Sequence, residues 1–319
     1  MAVSAANFPA KIGSPFDLDN GRAFGRWRDE KLRDYPCRTS ELLVEIGDPR
    51  ALTPAEHDAL LRRCRKTNMV LYTSRASEAD KDIPRLLGRQ FGLLRLDANW
   101  LADEDGISQL RVSAGAGRHE YIPYTNRPIK WHTDGYYNSP KRRIRAMLLH
   151  CVSSAGSGGE NSLLDHEIAY LLIRERNPDW VRALMAPDAM TIPARTGEDG
   201  VARPAETGPV IHVQETDGTL HMRYTSRTRS IQWKQDPVTR AALAFLEDLL
   251  SSGTPYIFRA RLEPGMGIVC NNVLHDRTGF SDDPGRRRLL YRARYYDRIM
   301  GTDPASAATL SGRFSGVAA

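Results

Sequence analysis

A chain of 319 residues with 41% hydrophobic and 26% charged side chains has the composition of a folded globular protein with a sizeable core, which excludes a disordered or fibrous chain. No apolar run approaches the roughly 20 residues that a membrane span needs, and the first residues lack a basic segment followed by an apolar stretch, so a cytoplasmic location is expected. A net charge of +6, from 45 Lys and Arg against 39 Asp and Glu, favours an anionic small-molecule partner over nucleic acid, because the basic clusters at 141–143 and 286–288 are short and lack interleaved aromatics.

In chain order, residues 1–110 read as a mixed α/β flank. Thr53, Pro54 and Glu56 supply an N-cap, a first-turn proline and a capping-box acid, which predicts a helix to about residue 66. Residues 69–72 then read as a strand and 83–91 as a helix with Leu86, Leu87 and Phe91 inward. From about residue 110 the pattern shifts to short strands divided by Gly, Pro and Asp. An apolar run at 145–152 ends in the turn-forming SSAGSGG of 153–159; a strand is expected at 161–165 and a helix at 168–174. Residues 198–207, polar and rich in Gly and Pro, predict a loop that could act as a lid. A helix at 237–250 and strands at 257–261, 266–271 and 288–297 complete the domain. The expected fold is α+β with a mainly β core, closed or two-sheeted, flanked by helices, in one domain over 1–300, with a loose tail at 301–319. The four cysteines, Cys37, Cys64, Cys151 and Cys270, form no CxxC pair and read as reduced thiols.

His132 and Asp134 stand two residues apart. On a strand such residues share a face, so an imidazole and a carboxylate can converge on one ion. A third ligand from a distant strand would complete a facial two-histidine, one-carboxylate set, the geometry that leaves positions free on iron(II). His275, after the strand-like GIVCNNVL of 267–274, is the leading candidate among eight histidines. Thirteen positions beyond it, Arg288 opens an apolar strand, where a buried cation needs an anion and a guanidinium fork suits a carboxylate. Arg292 shares its face by alternation, as do Arg286 and Arg294, with Arg287 opposite; Arg286, Arg287 and Arg294 compete for the same role.

Together, YTNRPIKWHTDG at 124–135, MLLHCVSSAGSGGENSLLD at 147–165, VLHDRTGF at 273–280 and RRLLYR at 287–292 resemble, in order, the taurine dioxygenase-like (TauD/TfdA) oxygenases, a family with a double-stranded β-helix (jelly-roll, clavaminate synthase-like) core. The second and third segments look closest to the branch containing γ-butyrobetaine hydroxylase. The resemblance implies that His132, Asp134 and His275 hold Fe(II) and that Arg288 grips the distal carboxylate of 2-oxoglutarate. Arg292 would lie near co-substrate or substrate, and Asn161 would stand where a hydroxyl residue often helps hold that carboxylate. It further implies a 2-oxoglutarate-dependent dioxygenase that uses O2 and releases succinate and CO2. Retention of Asp134 favours hydroxylation over halogenation. Tyr124, Asn126, Tyr136 and Tyr137 are candidates to line the substrate mouth, the tyrosines equally as packing residues or as a cage for a methylated ammonium group. Demethylation, desaturation, a nucleic-acid or protein substrate, a non-catalytic jelly-roll binder and a homo-oligomer stay open at this point.

Overall fold

Alternation along the strands builds a layered molecule. The computed structural model describes residues 13–97, 105–112, 121–197, 200–227 and 231–304. Its larger sheet has six strands in the order Leu43–Glu45, Met69–Thr73, Met266–Cys270, Ala146–Ser153, Leu289–Tyr295 and Ser108–Leu110. The smaller runs Ile257–Ala260, Asn161–Leu164, Leu274–Arg277 and Ile129–His132. Pairing is antiparallel except between the first two strands of the larger sheet.

Period two assigns each strand residue to a layer. Met147, Leu149 and Cys151 share a core cluster with Leu163 and Phe258, which are strand residues of the smaller sheet, so this cluster lies between the sheets. Ala146 and Leu148 face the other way, onto Leu60, Leu61, Cys64 and Leu87 of the helices Pro54–Thr67 and Asp82–Gln90. Leu164, Ile257 and Leu274 turn outward from the smaller sheet onto the helices His166–Arg176, Pro178–Leu184 and Pro237–Ser251. The order is helices, sheet, sheet, helices.

The predicted helix starts hold for physical reasons. Thr53 accepts from the Glu56 amide while Glu56 accepts from the Thr53 amide, and Asn68, at φ 57°, closes the helix onto the Cys64 carbonyl. An unpredicted N-terminal helix, Gly21–Leu32, is pinned by Lys31, whose buried ammonium meets Asp165 at 2.7 Å and Glu167 at 2.6 Å.

Two expectations need correction. Residues 198–207 are not an irregular loop: Gly200–Arg203 pairs with Arg195–Gly197, and Glu206–Gly208 pairs with Met190–Ile192, while 198–199 lie outside the described residues. A short polar ribbon has no apolar alternation for a sequence reading to detect. The last strand begins at Leu289, with its register shifted between Leu289 and Leu290, so Arg288 stands just ahead of it. Of the expected loose tail, residues 305–319 lie outside the described residues.

Candidate metal centre

The strand Ile129–His132 lies antiparallel beside Leu274–Arg277, with His132 directly opposite His275. Their rings sit 4.2 Å apart between centroids. Asp134 follows in the turn after the first strand. One ligand atom from each of His132, Asp134 and His275 falls within 4.8 Å of the others. The imidazoles are oriented from behind: His132 Nδ1 meets the Lys130 carbonyl and His275 Nδ1 meets the Val273 carbonyl, each at 2.9 Å. A ring whose Nδ1–H is spent on a carbonyl presents the Nε2 lone pair, which is how metal-binding histidines are commonly fixed. Burial and the neighbouring His275 push His132 down to about 3, so it is a neutral ligand at physiological pH.

Burial by itself would raise the Asp134 carboxyl, but Arg292 and Arg294 outweigh it and hold the group ionised. Arg292 Nη1 lies 3.2 and 3.3 Å from the two carboxylate oxygens, and Arg294 Nη1 lies 3.9 Å from one of them. Arg294 is fixed by Asp97 and by the Tyr137 hydroxyl, which accepts from it at 3.2 Å. Asn272 clamps the Asp134 main chain, accepting from its amide at 2.8 Å and donating to its carbonyl at 2.9 Å. Two imidazoles held at Nδ1 by carbonyls and an ionised carboxylate, with their ligand atoms converging, are the donor set that iron(II) takes in a facial triad. The residues fit the metal.

Arg288 is 4% exposed and carries a buried Nη1 without a hydrogen-bond partner. No carboxylate among the described residues lies within salt-bridge distance of it; its guanidinium rests 5.0 Å above the Phe280 ring, and burial pushes it down to about 10. A desolvated, uncompensated guanidinium is a receptor for an anion. Arg286 and Arg287 are exposed, and Arg286 pairs with Asp283; alternation does not carry Arg286 to the face of Arg288, because the 283–286 turn interposes. Arg294 is committed to Asp97.

Among the other expected residues, Asn161 is buried, but its amide donates to the Asp276 carbonyl at 2.9 Å and its oxygen is unmatched. The donor that the resemblance asks of it is therefore engaged elsewhere. Tyr124 packs in the cluster between the sheets and Tyr136 in the helix-side cluster. Tyr137 stands edge-on to Tyr136 at 5.2 Å, its hydroxyl bound to Arg294. Asn126 is exposed, and its carbonyl accepts from the Phe280 amide at 3.1 Å. Sequence reasoning missed Arg277, two positions beyond His275. It is 4% exposed, donates to the Thr125 and Arg127 carbonyls, leaves Nε unpaired and lies over Phe280 at 4.9 Å. Burial, then the charge of Arg288, lowers it to about 9. The spacing from His275 was the available signal.

Residues 45–294 match the family described as Taurine catabolism dioxygenase TauD, TfdA family. A uridine-5'-phosphate dioxygenase from an Amycolatopsis species is 32% identical over 170 residues, 52% of this chain and 60% of that protein. Another from a Streptomyces species is 30% identical over 208 residues, 60% of this chain and 70% of that protein. The match therefore spans less than two thirds of the first relative's length. Asparagine oxygenase, solved with Fe(II), 2S,3S-3-hydroxyasparagine and succinate, superposes with a TM-score of 0.53 at 16% identity over 76% of this chain and 81% of its own, a likeness of fold. Among the described residues, no helix is long and apolar enough to cross a membrane.

Proposed function

The chain belongs to the TauD, TfdA family of dioxygenases, and on that premise we propose that it hydroxylates an unactivated C–H bond of a small anionic molecule, with His132, Asp134 and His275 as the iron ligands. It is a 2-oxoglutarate-dependent non-haem iron dioxygenase that uses Fe(II), 2-oxoglutarate and O2. We read its facing sheets as the double-stranded β-helix of that family. The observation that carries the ligand assignment is the meeting of the three ligand atoms within 4.8 Å, from positions well over a hundred residues apart.

When bound, iron and 2-oxoglutarate supply the oxidising chemistry, with succinate and CO2 as products. The chain's own side chains orient and screen. His132 stays neutral, and His132 and His275, each held at Nδ1 by a carbonyl, present Nε2. Arg292 and Arg294 keep Asp134 ionised, so it coordinates without first losing a proton. Arg288 is the partner for the distal carboxylate of 2-oxoglutarate, with no carboxylate within salt-bridge distance among the described residues. Arg277, also over the Phe280 ring, adds positive field and ties the 125–127 segment to the strand of His275.

An anionic substrate fits the net charge of +6 and the name of the curated relatives, uridine-5'-phosphate dioxygenases. The motif likeness to the γ-butyrobetaine hydroxylase branch would instead suit a zwitterion, and Tyr136 and Tyr137 are the aromatic pair it would use. The guanidinium of Arg294 on the Tyr137 hydroxyl weighs against a cationic group there. The test is succinate formation with Fe(II), ascorbate and 2-oxoglutarate against uridine 5'-phosphate, uridine, taurine, asparagine and γ-butyrobetaine. An anionic member should stimulate turnover severalfold and appear in the products with one added oxygen or its breakdown product. Stimulation by γ-butyrobetaine alone would overturn the anionic reading.

A further inference from the structure

Two further guanidinium groups, outside the motif residues, also have no carboxylate within salt-bridge distance among the described residues. Arg145 shows the ordinary solution: it pairs with Asp217 and reaches Thr219 at 3.0 Å. Arg143, two positions earlier, is half-buried, and its hydrogen bonding within the described residues is one long contact of 3.4 Å to Gln214 Oε1. Arg223 is 8% exposed and spends its donors on neutral carbonyls, those of Tyr136 at 2.6 Å, Met190 at 3.2 Å and Glu206 at 2.8 Å. Neither has a carboxylate within salt-bridge distance among the described residues; Glu206 is the acid whose field reaches both. Burial lowers both guanidinium groups, Arg223 to about 10.

A pair of histidines meets them. Ile211–Val213 and Leu220–Met222 form a two-stranded ribbon in which His212 faces His221. Directly opposed residues project to the same side, and Ile211, Leu220 and Met222 occupy the helix-side core. His212 Nε2 lies 3.2 Å from Gln214 Oε1, the same oxygen that Arg143 meets. His221 is half-buried and makes no hydrogen bond within the described residues. Burial and Arg143 keep both imidazoles neutral, His212 falling to about 4, so the single N–H of His212 is given to Gln214 Oε1 while His221 offers an N–H donor without adding charge.

This cluster is tethered to the metal centre from two sides. The Ile144 carbonyl, next to Arg143, accepts from Asn272 at 2.7 Å, and the same Asn272 clamps Asp134. On the other side, the chain continues from Arg223 to Tyr224, whose carbonyl accepts from Thr133 at 3.0 Å, and to Thr225, bridged to His132. We propose that Arg143 and His221, backed by the charge of Arg223 and with His212 holding Gln214 beside them, form the subsite for a phosphate monoester group on the substrate whose carbon is oxidised at the iron. A guanidinium and an imidazole N–H from two separate segments, with no carboxylate within salt-bridge distance of Arg143 or Arg223 among the described residues, suit the double negative charge of a phosphate monoester better than the single charge of a carboxylate. The identity of the occupant rests on the dioxygenase reading; the subsite itself does not.

The test uses the full chain loaded with Mn(II) and 2-oxoglutarate without oxygen, titrated calorimetrically with methyl phosphate and, separately, acetate. Methyl phosphate should bind saturably and more tightly than acetate. Arg143→Gln should weaken it about tenfold or more, the loss expected for a charge-assisted pair, with Arg143→Lys intermediate and melting temperature reporting that both variants fold. In wild type, bound Mn(II) should enhance phosphorus-31 relaxation of the probe, and Arg143→Gln should remove the enhancement at equal probe concentration. Equal binding of acetate, or methyl phosphate affinity in Arg143→Gln within twofold of wild type, would overturn the proposal. Paramagnetic resonance of Mn(II) in the same samples reads the His132, Asp134 and His275 assignment alone, so failure of the metal reading and failure of the subsite are separate results.

Discussion

Asp134 gathers more of the molecule onto one side chain than any other residue of the centre. Arg292 and Arg294 neutralise it and Asn272 fixes its backbone, so Asp134→Ala removes a proposed ligand and leaves the Arg292 guanidinium without its carboxylate. Expected outcomes are loss of stoichiometric Fe(II) binding and loss of succinate formation; undiminished turnover refutes the ligand assignment. Arg288→Ala should raise the 2-oxoglutarate requirement by on the order of 2–5 kcal/mol, the cost of truncating one side of a buried charge pair. The exposed Arg287, changed to alanine, should leave that requirement near wild type, and a reversal of the two results would exchange their roles. These residues were legible because period two and a costly buried charge act locally: His132 with Asp134, and Arg288 ahead of an apolar strand. Arg277 obeys the same rule from His275, but it is the last residue of its strand and the register shifts between the two, so its burial could not be read. Arg143, His212 and His221 share no motif; the fold alone brings the 143 region to the 211–222 ribbon.

At the scale of elements, the metal centre depends on a close approach that only glycine permits. Gly158 has φ +70°, and a Cβ there would lie 2.2 Å from the Gly279 carbonyl oxygen. Beside it, Ser157–Gly158 pairs with Phe280–Ser281, which seats the Phe280 ring against Arg277 and Arg288. Gly158→Ala should therefore cost about 1–3 kcal/mol of stability and also weaken 2-oxoglutarate binding. Denaturant unfolding together with co-substrate titration checks both, and wild-type values in each would show that the approach is slack. The long apolar strands and capped helices of this region follow from sequence periodicity. The 195–208 ribbons and the register shift at Leu289–Leu290 do not, since exposed ribbons carry no alternation and a shift depends on the partner strand.

Across the whole molecule, the smaller of two facing sheets carries the proposed histidine ligands while helices cover the outer faces, and Lys31 locks the N-terminal helix to this body. Its ammonium is buried, yet Asp165 and Glu167 outweigh the desolvation and raise its pKa. Burial would raise Glu167, but Lys31 more than offsets it and holds the carboxyl low. A carboxyl that titrates lower when folded contributes stability above the ordinary carboxylate range, and that contribution is lost as pH falls through the lower folded value. The ammonium's share persists below its ordinary pKa and is lost in strong alkali. Lys31→Met strands two buried carboxylates and should destabilise the fold by about 3–5 kcal/mol at neutral pH, with the deficit shrinking in acid. Chemical denaturation at several pH values checks this, and a pH-independent deficit would show that packing, not charge, is lost. Nothing in the sequence linked Lys31 to residues 134 and 136 positions away, because the helices read as separate amphipathic units.

The most direct test of the central claim is the visible charge-transfer absorption of Fe(II) with 2-oxoglutarate bound in the absence of oxygen. Wild type should develop the band only when metal and co-substrate are both present, and His132→Ala, Asp134→Ala and His275→Ala should each abolish or sharply weaken it. A band of full intensity in any of the three variants would contradict the metal centre described above.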